Sequence, residues 1–180
     1  MPPELKSNLA DIKLLVLDVD GVLTNGTVMI NADGSESKLF NSLDGHGIRM
    51  WRRAGLKVAL LSGRACEATN RRAKQLEVDY VFQDCHYKLP VLKKLLDESG
   101  LSPRQVACVG DDLPDLPIIK CAGFAAAVAN AVDEVKRHAD YVTNLGGGMG
   151  AVREVIEFIL KRTGRWEDLM KKYVPDSRAP

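Results

Sequence analysis

Two carboxylates at the end of one apolar run set the chemistry to look for. Leu14-Leu15-Val16-Leu17 leads straight into Asp18-Val19-Asp20-Gly21-Val22-Leu23-Thr24. Asp18 and Asp20 are two residues apart on an extended segment and so face one side, while Gly21 lets the chain turn away behind them. Like charges this close require a cation or a shared proton. A second acidic cluster, Gly110-Asp111-Asp112-Leu113-Pro114-Asp115, follows another apolar run at 106–109. Carboxylates from two strand ends make a hard-oxygen site suited to Mg²⁺, with Asp18 and Asp111 as its side-chain ligands. Leu60-Leu61-Ser62-Gly63-Arg64 adds a hydroxyl and a helix start, whose N–H groups hold phosphate. Lys88, opening another helix, adds a point positive charge.

Together these groups form a phosphoryl-transfer site, where catalysis is mostly positioning and neutralisation of phosphate oxygens. Asp18 is expected to attack phosphorus, because a carboxylate is a competent nucleophile once a metal screens the repulsion between anions. Asp20 is expected to protonate the leaving alkoxide and then deprotonate water.

Such groups must be delivered by strand ends, and the chain has the strands. Val-, Leu- and Ile-rich runs at 12–17, 56–61, 79–82, 105–109, 124–128 and 141–143 alternate with candidate helices at 45–54, 65–76, 89–98, 113–121, 131–138 and 150–162. That alternation predicts a three-layer, doubly wound α/β fold of Rossmann-like type around a buried parallel sheet. Leu89, Leu92, Leu95 and Leu96 mark one core-facing helical stripe, and Val152, Val155, Ile156, Ile159 and Leu160 another. Residues 26–41 break the pattern and read as a β-hairpin insertion, with strands at 27–30 and 37–40 around Asp33-Gly34. The tail at 163–180 is polar apart from Trp166, Leu169, Met170 and Tyr173, and should stay unstructured unless it docks. The glycine run at 146–150 reads as a loop ahead of the last long helix.

The chain's 180 residues suit a single domain, 1–180, and apolar and charged fractions of 46% and 27% exclude general disorder. A net charge of +1 gives no drive toward nucleic acid or a membrane surface. No segment approaches the ~20 apolar residues of a bilayer span, and the start carries no apolar leader core, so a cytoplasmic location is expected. Cys66, Cys85, Cys108 and Cys121 lack paired spacing and read as buried thiols, while His46, His86 and His138 lack ligand spacing and read as surface residues. The stretches from Asp18 to Ser62 and from Ser62 to Lys88 are each too short for a cap domain. An uncapped site would leave the intermediate in water, so neighbouring subunits should enclose it, with the hairpin and the tail as contact elements.

In this order, Asp18-x-Asp20-Gly21-Val22-Leu23-Thr24, Ser62-Gly63-Arg64, Lys88 and Gly110-Asp111-Asp112-x-x-Asp115 resemble the four motifs of the haloacid dehalogenase-like phosphohydrolases. Residues 10–162 look most like the capless subfamily of 3-deoxy-D-manno-octulosonate 8-phosphate phosphatases. The resemblance implies an aspartyl-phosphate on Asp18, Mg²⁺ held by Asp18, Asp111 and the Asp20 carbonyl, and Asp112 and Asp115 as supports. Phe40-Asn41-Ser42-Leu43-Asp44-Gly45-x-Gly47-Ile48-Arg49 is similar to the subfamily's F-N-x-x-D-G-x-G-I-R segment. By that likeness Asn41, Ser42, Asp44, Gly45, Arg49, Gly63, Arg64, Arg72 and Lys88 contact a small phosphorylated keto-acid sugar. The implied assembly is a homotetramer with shared sites, and the implied setting is lipopolysaccharide sugar biosynthesis. Leu43 and Met149 stand where the subfamily often has Arg. The alternatives are a phosphatase of a nine-carbon, sialic-type sugar 9-phosphate and a catalytically silent, phosphatase-like oligomerisation module. A phospho-accepting receiver domain is disfavoured, because its acidic pair precedes its phosphorylated Asp.

Overall fold

The apolar runs form strands and the periodic segments form helices in the computed structural model, which describes residues 8–174. The polar start, 1–7, and residues 175–180 of the expected tail lie outside the described residues. The first half contains β1 (Leu14–Leu17), the hairpin strands β2 (Met29–Ile30) and β3 (Glu36–Ser37), α1 (Ser42–Arg53), β4 (Lys57–Leu61), α2 (Glu67–Leu76) and β5 (Tyr80–Phe82). The second half contains α3 (Lys88–Ser99), β6 (Val106–Gly110), α4 (Leu116–Cys121), β7 (Phe124–Ala127), α5 (Asp133–His138), β8 (Tyr141–Val142), α6 (Ala151–Arg162) and α7 (Arg165–Met170).

Six parallel strands pair in the order β5-β4-β1-β6-β7-β8. The chain winds outward from β1 through β4 and β5, then returns to the other side of β1 with β6. The switch between β1 and β6 opens a crevice at the carboxyl ends of the strands, where open α/β sheets bind ligands. Leu17 lies level with Val109, so the residues following β1 and β6 emerge side by side.

Successive strand side chains point to opposite faces, and the core divides accordingly. Leu15, Leu17, Val58, Leu60, Ala107 and Val109 pack with α1 and α6 on one face. Leu14, Val16, Ala59, Leu61, Val106 and Cys108 pack with Leu92, Leu95 and Leu96 of α3 and Ile118 of α4 on the other. Both predicted helical stripes therefore reach the core, apart from half-buried Leu89 at the edge of its cluster. This is the expected three-layer, doubly wound arrangement.

Several local expectations need correction. Helix α1 begins earlier than expected because Asn41, extended at its own backbone, caps it by accepting the Leu43 N–H at 2.8 Å. The helix expected over 113–121 is two pieces. Leu113–Asp115 is a 3-10 turn capped by Asp112, and α4 follows with Pro117 in its first turn. The hairpin strands are only two residues each, because a lone ribbon is marginal in water and the chain past Ser37 turns toward β1 instead. Residues 163–174 of the tail are ordered, with α7 at Arg165–Met170. Trp166 and Leu169 pack on the core, and the Tyr173 hydroxyl bonds the Arg53 guanidinium at 2.6 Å and His46 Nε2 at 3.1 Å. Part of its apolar stripe thus packs within its own subunit, while Tyr173 stays exposed. Among the described residues no helix is long and apolar enough to cross a membrane.

Candidate active site

Asp18 follows β1 directly, its N–H donating to the Val109 carbonyl at 3.2 Å, and it is almost wholly buried. The chain can turn behind Asp20 only through Gly21, whose φ is +101°. A Cβ there would lie 2.0 Å from Asp111 Oδ2. This glycine therefore supplies both the turn and the room for the acidic residue of the neighbouring strand. The Thr24 hydroxyl closes the same loop, accepting the Gly21 and Gly26 N–H groups and donating to the Val19 carbonyl.

Lys88, the first residue of α3, is buried beneath the carboxylates. Its ammonium donates to Asp18 Oδ1 and to Asp115 Oδ1. Asp115 Oδ2 accepts the N–H of Asp111 at 3.0 Å and of Asp112 at 3.5 Å, which fixes the loop carrying Asp111. Asp112 is exposed and accepts the Leu113 N–H. Asp115 is thus committed to its neighbours, while Asp18 and Asp111 face the opening.

One carboxylate oxygen from each of Asp18, Asp111 and Asp115 lies within 4.8 Å of the others. Burial, and then the charge of Asp115, raise the Asp18 pKa to about 7 against the pull of Lys88. Burial, with the charges of Asp18 and Asp115, raises Asp111 to about 8. Burial opposes the charge on Lys88, but Asp18 and Asp115 outweigh it and hold its pKa above the usual lysine value. The single ammonium of Lys88 does not balance the three carboxylates of Asp18, Asp111 and Asp115, and Asp20, paired with Lys38 through Oδ1, has its Oδ2 buried without a hydrogen-bond donor. An all-oxygen set short of positive charge fits a hard divalent cation. The groups line a cleft of about 330 Å³ with Asp20, Gly26, Gly63, Arg64, Asp112 and Pro114.

The other predicted residues divide. Gly63 and Arg64 reach this cleft, with Arg64 paired to Glu36 of the hairpin. Ser62 does not offer its hydroxyl to the cleft as expected. It is fully buried, donating to the Arg64 carbonyl at 2.9 Å and accepting the Arg64 N–H at 3.2 Å, so it shapes the turn. Ser42, Gly45, Arg49 and Arg72 line a separate cleft with His46. There Gly45 leaves space for the Arg72 guanidinium, which donates to the Asn41 carbonyl at 3.2 Å. Arg49 donates to the Gln75 carbonyl at 3.1 Å. Asp44, expected among the substrate contacts, is instead buried and accepts the N–H groups of Gly150 at 3.2 Å and Arg153 at 2.9 Å at the start of α6. Unpaired helix N–H groups draw a carboxylate at that position.

Two features of the site escaped the sequence reading. The glycine loop lies against the turn after Asp20. A Cβ on Gly147 would fall 1.7 Å from the Gly21 carbonyl oxygen, and the Gly148 N–H donates to the Val22 carbonyl at 2.9 Å. Asn41 Nδ2 ties the start of α1 to the same loop through the Gly148 carbonyl at 3.2 Å. The density of glycines in the run was the available signal. The second feature is Lys38, whose side chain is 4% exposed and whose ammonium donates to Asp20 Oδ1. A single lysine in a hairpin gives no sequence signal.

Comparison with known proteins agrees with this geometry. The haloacid dehalogenase-like hydrolase family model matches residues 81–155. The 3-deoxy-D-manno-octulosonate 8-phosphate phosphatase of Salmonella typhimurium is 38% identical over 166 residues, which is 92% of this chain and 88% of the relative. The structure of the phosphatase of that name from Moraxella catarrhalis, in complex with a magnesium ion, a phosphate ion and a KDO molecule, superposes with a TM-score of 0.90. It is 36% identical, with 92% of this chain and 95% of that one covered. The cobalt-bound Haemophilus influenzae deoxy-D-mannose-octulosonate 8-phosphate phosphatase gives a TM-score of 0.84 at 38% identity, covering 87% and 91% of the two chains. Such identity over nearly the full length of both partners shows that the chain belongs to the 3-deoxy-D-manno-octulosonate 8-phosphate phosphatase family of haloacid dehalogenase-like hydrolases and is a phosphoric monoester hydrolase.

Proposed function

We propose that the substrate is 3-deoxy-D-manno-octulosonate 8-phosphate, cleaved to the free sugar and phosphate through an aspartyl-phosphate on Asp18. The observation that carries the chemistry is the buried Asp18, Lys88 and Asp115 chain set beside Asp111 at one strand switch. The family supplies the sugar, and the arginines of the second cleft suit its carboxylate.

Lys88 occupies Asp18 Oδ1 and orients the carboxylate, leaving its other oxygen to attack phosphorus. The Asp18–phosphorus bond forms as the bridging P–O bond breaks, and Asp20 gives its proton to the leaving sugar oxygen. Asp20 then takes a proton from water as the water oxygen bonds to phosphorus and the Asp18–phosphorus bond breaks. Asp18, Asp111 and the Asp20 carbonyl would hold Mg²⁺, with Asp112 and Asp115 in support. The cation supplies charge neutralisation for the anionic phosphoryl group. Gly63 and Arg64 face the phosphate from the β4 side.

The two clefts of one subunit share no lining residue. Asn41, Ser42, Gly45, Arg49 and Arg72 therefore serve a neighbour's acidic cleft in a homotetramer. The exposed hairpin residues Val28, Met29, Ile30 and Leu39 form the apolar contact. The enzyme acts in the cytoplasm, in lipopolysaccharide sugar supply.

The test is phosphate release, with and without Mg²⁺, from the eight-carbon sugar 8-phosphate, nine-carbon sialic-type 9-phosphates and simple sugar phosphates, with Asp18→Asn as the inactive control. Mg²⁺-dependent preference for the eight-carbon compound supports the proposal. Leu43 and Met149, both exposed apolar residues where the family often has Arg, weaken the case for the eight-carbon sugar; the second reading is a nine-carbon, sialic-type acid, and preference for those compounds would establish it. No release from any compound would leave the silent-module alternative. A monomeric mass in size exclusion would remove the shared site.

A further inference from the structure

The hairpin contributes more than an apolar surface to this site. Glu36 and Lys38, two residues apart, both pair with residues that line the acidic cleft: Glu36 with Arg64, and Lys38 by donating to Asp20 Oδ1. The two pairs differ in burial. The Lys38 and Asp20 side chains are 4% and 19% exposed, whereas those of Arg64 and Glu36 are 46% and 23% exposed.

Desolvating an ammonium and a carboxylate is costly, so a pair as far withdrawn from water as this partly buried one is a poor way merely to fasten a hairpin. Glu36 already fastens it from a wetter position. Lys38 also does something specific to Asp20. It occupies Oδ1 and fixes the carboxylate rotamer, while Oδ2 remains without a donor. A group that exchanges a proton with a reacting oxygen must present one oxygen in a fixed direction.

We infer that Lys38 is a positioning residue for Asp20: by holding Oδ1 it commits Oδ2 to both proton transfers. This rests on the acid/base role of Asp20 proposed above. Oδ2 gives its proton to the leaving oxygen as the bridging P–O bond breaks, and recovers one from the water that displaces Asp18 from phosphorus. The ammonium of Lys38 keeps its protons throughout.

The leaving group separates this role from a structural one. p-Nitrophenolate departs without a proton, whereas a sugar alkoxide requires one. In the Mg²⁺-loaded enzyme, Lys38→Met should lower kcat for a turned-over sugar phosphate by about 10- to 100-fold with KM nearly unchanged. With p-nitrophenyl phosphate the variant should keep a rapid burst of one p-nitrophenolate per site, followed by slowed turnover, because only the water step still needs Asp20. Lys38→Arg should restore most of the lost rate. Lys38→Gln provides a second neutral variant, and circular dichroism with thermal melting checks that each is folded. Asp20→Asn should show the same pattern more deeply. Equal losses on both substrates and in the burst rate, or no loss at all, would overturn the positioning role while Asp20→Asn still shows the pattern. If Asp20→Asn itself lacks the pattern, the acid/base reading of Asp20 fails and the role of Lys38 with it.

Discussion

Replacing Lys88 by methionine keeps an unbranched side chain, one atom shorter, and removes the ammonium that pairs with Asp18 and Asp115. The side chains of Lys88, Asp18 and Asp115 are 3%, 7% and 2% exposed, so none of the charges can be handed back to water. Removing one partner of a buried ionic group leaves the others uncompensated, at a cost of about 3–5 kcal/mol. For a chain of this size that is a fall in Tm of roughly 6–20 °C. Urea unfolding followed through the fluorescence of fully buried Trp51 gives the free energy directly. The sign with pH is a sharper check. Lys88 pulls against the burial that raises the Asp18 pKa, so without it the folded state holds a proton on Asp18 more strongly than the unfolded chain does above the ordinary carboxylate pKa of about 4. The deficit should therefore be larger at pH 8 than at pH 5, and Mg²⁺ should recover part of it. A deficit under about 1 kcal/mol, or one that does not change with pH, would refute the claim that Lys88 balances these carboxylates.

In the metal-free protein, Asp18 and Asp111 carry folded-state pKa values raised to about 7 and about 8. The folded state then binds more protons than the unfolded state, so unfolding free energy measured in chelator should fall as pH rises from about 4 to 8, and added Mg²⁺ should stabilise more at pH 8 than at pH 5. A stabilisation independent of pH would remove these two carboxylates as the cation's ligands. Gly21→Ala places a Cβ 2.0 Å from Asp111 Oδ2 at a φ of +101°, so Mg²⁺ affinity measured by calorimetry should drop at least tenfold. Asp44→Ala strands the Gly150 and Arg153 N–H groups, costing about 1–3 kcal/mol in urea unfolding, while Asp44→Asn keeps an acceptor and most of the stability. If Asp44→Asn instead raises KM strongly with stability intact, Asp44 contacts substrate.

Much of the scaffold was readable because its signals are local. Six apolar runs bounded by turn residues could be placed as strands without knowing their neighbours, and the Leu and Val stripes of α3 and α6 follow from helical period alone. The acidic clusters were readable for a related reason: a strand that runs into Asp-x-Asp-Gly delivers carboxylates to the sheet's ligand-binding edge whatever the strand order. Boundaries were less readable where caps and prolines outweighed periodicity, as at Asn41, Pro114 and Pro117.

What the amino-acid sequence determined by itself was therefore the set of chemical groups, their order and the elements that carry them. Tertiary structure alone decided which partners each group meets. Asp44 could have faced a sugar, but packing α1 against α6 puts unpaired helix N–H groups within its reach, and a buried carboxylate takes those donors. Ser62 could have faced phosphate, but the turn at Gly63 folds the Arg64 backbone onto its hydroxyl. Lys38 carried no sign of a role until the hairpin's short ladder released the chain toward Asp20. In each case the partner is distant in sequence or set by a turn, and a polar side chain about to be buried pairs with whatever donor or acceptor the fold brings to it.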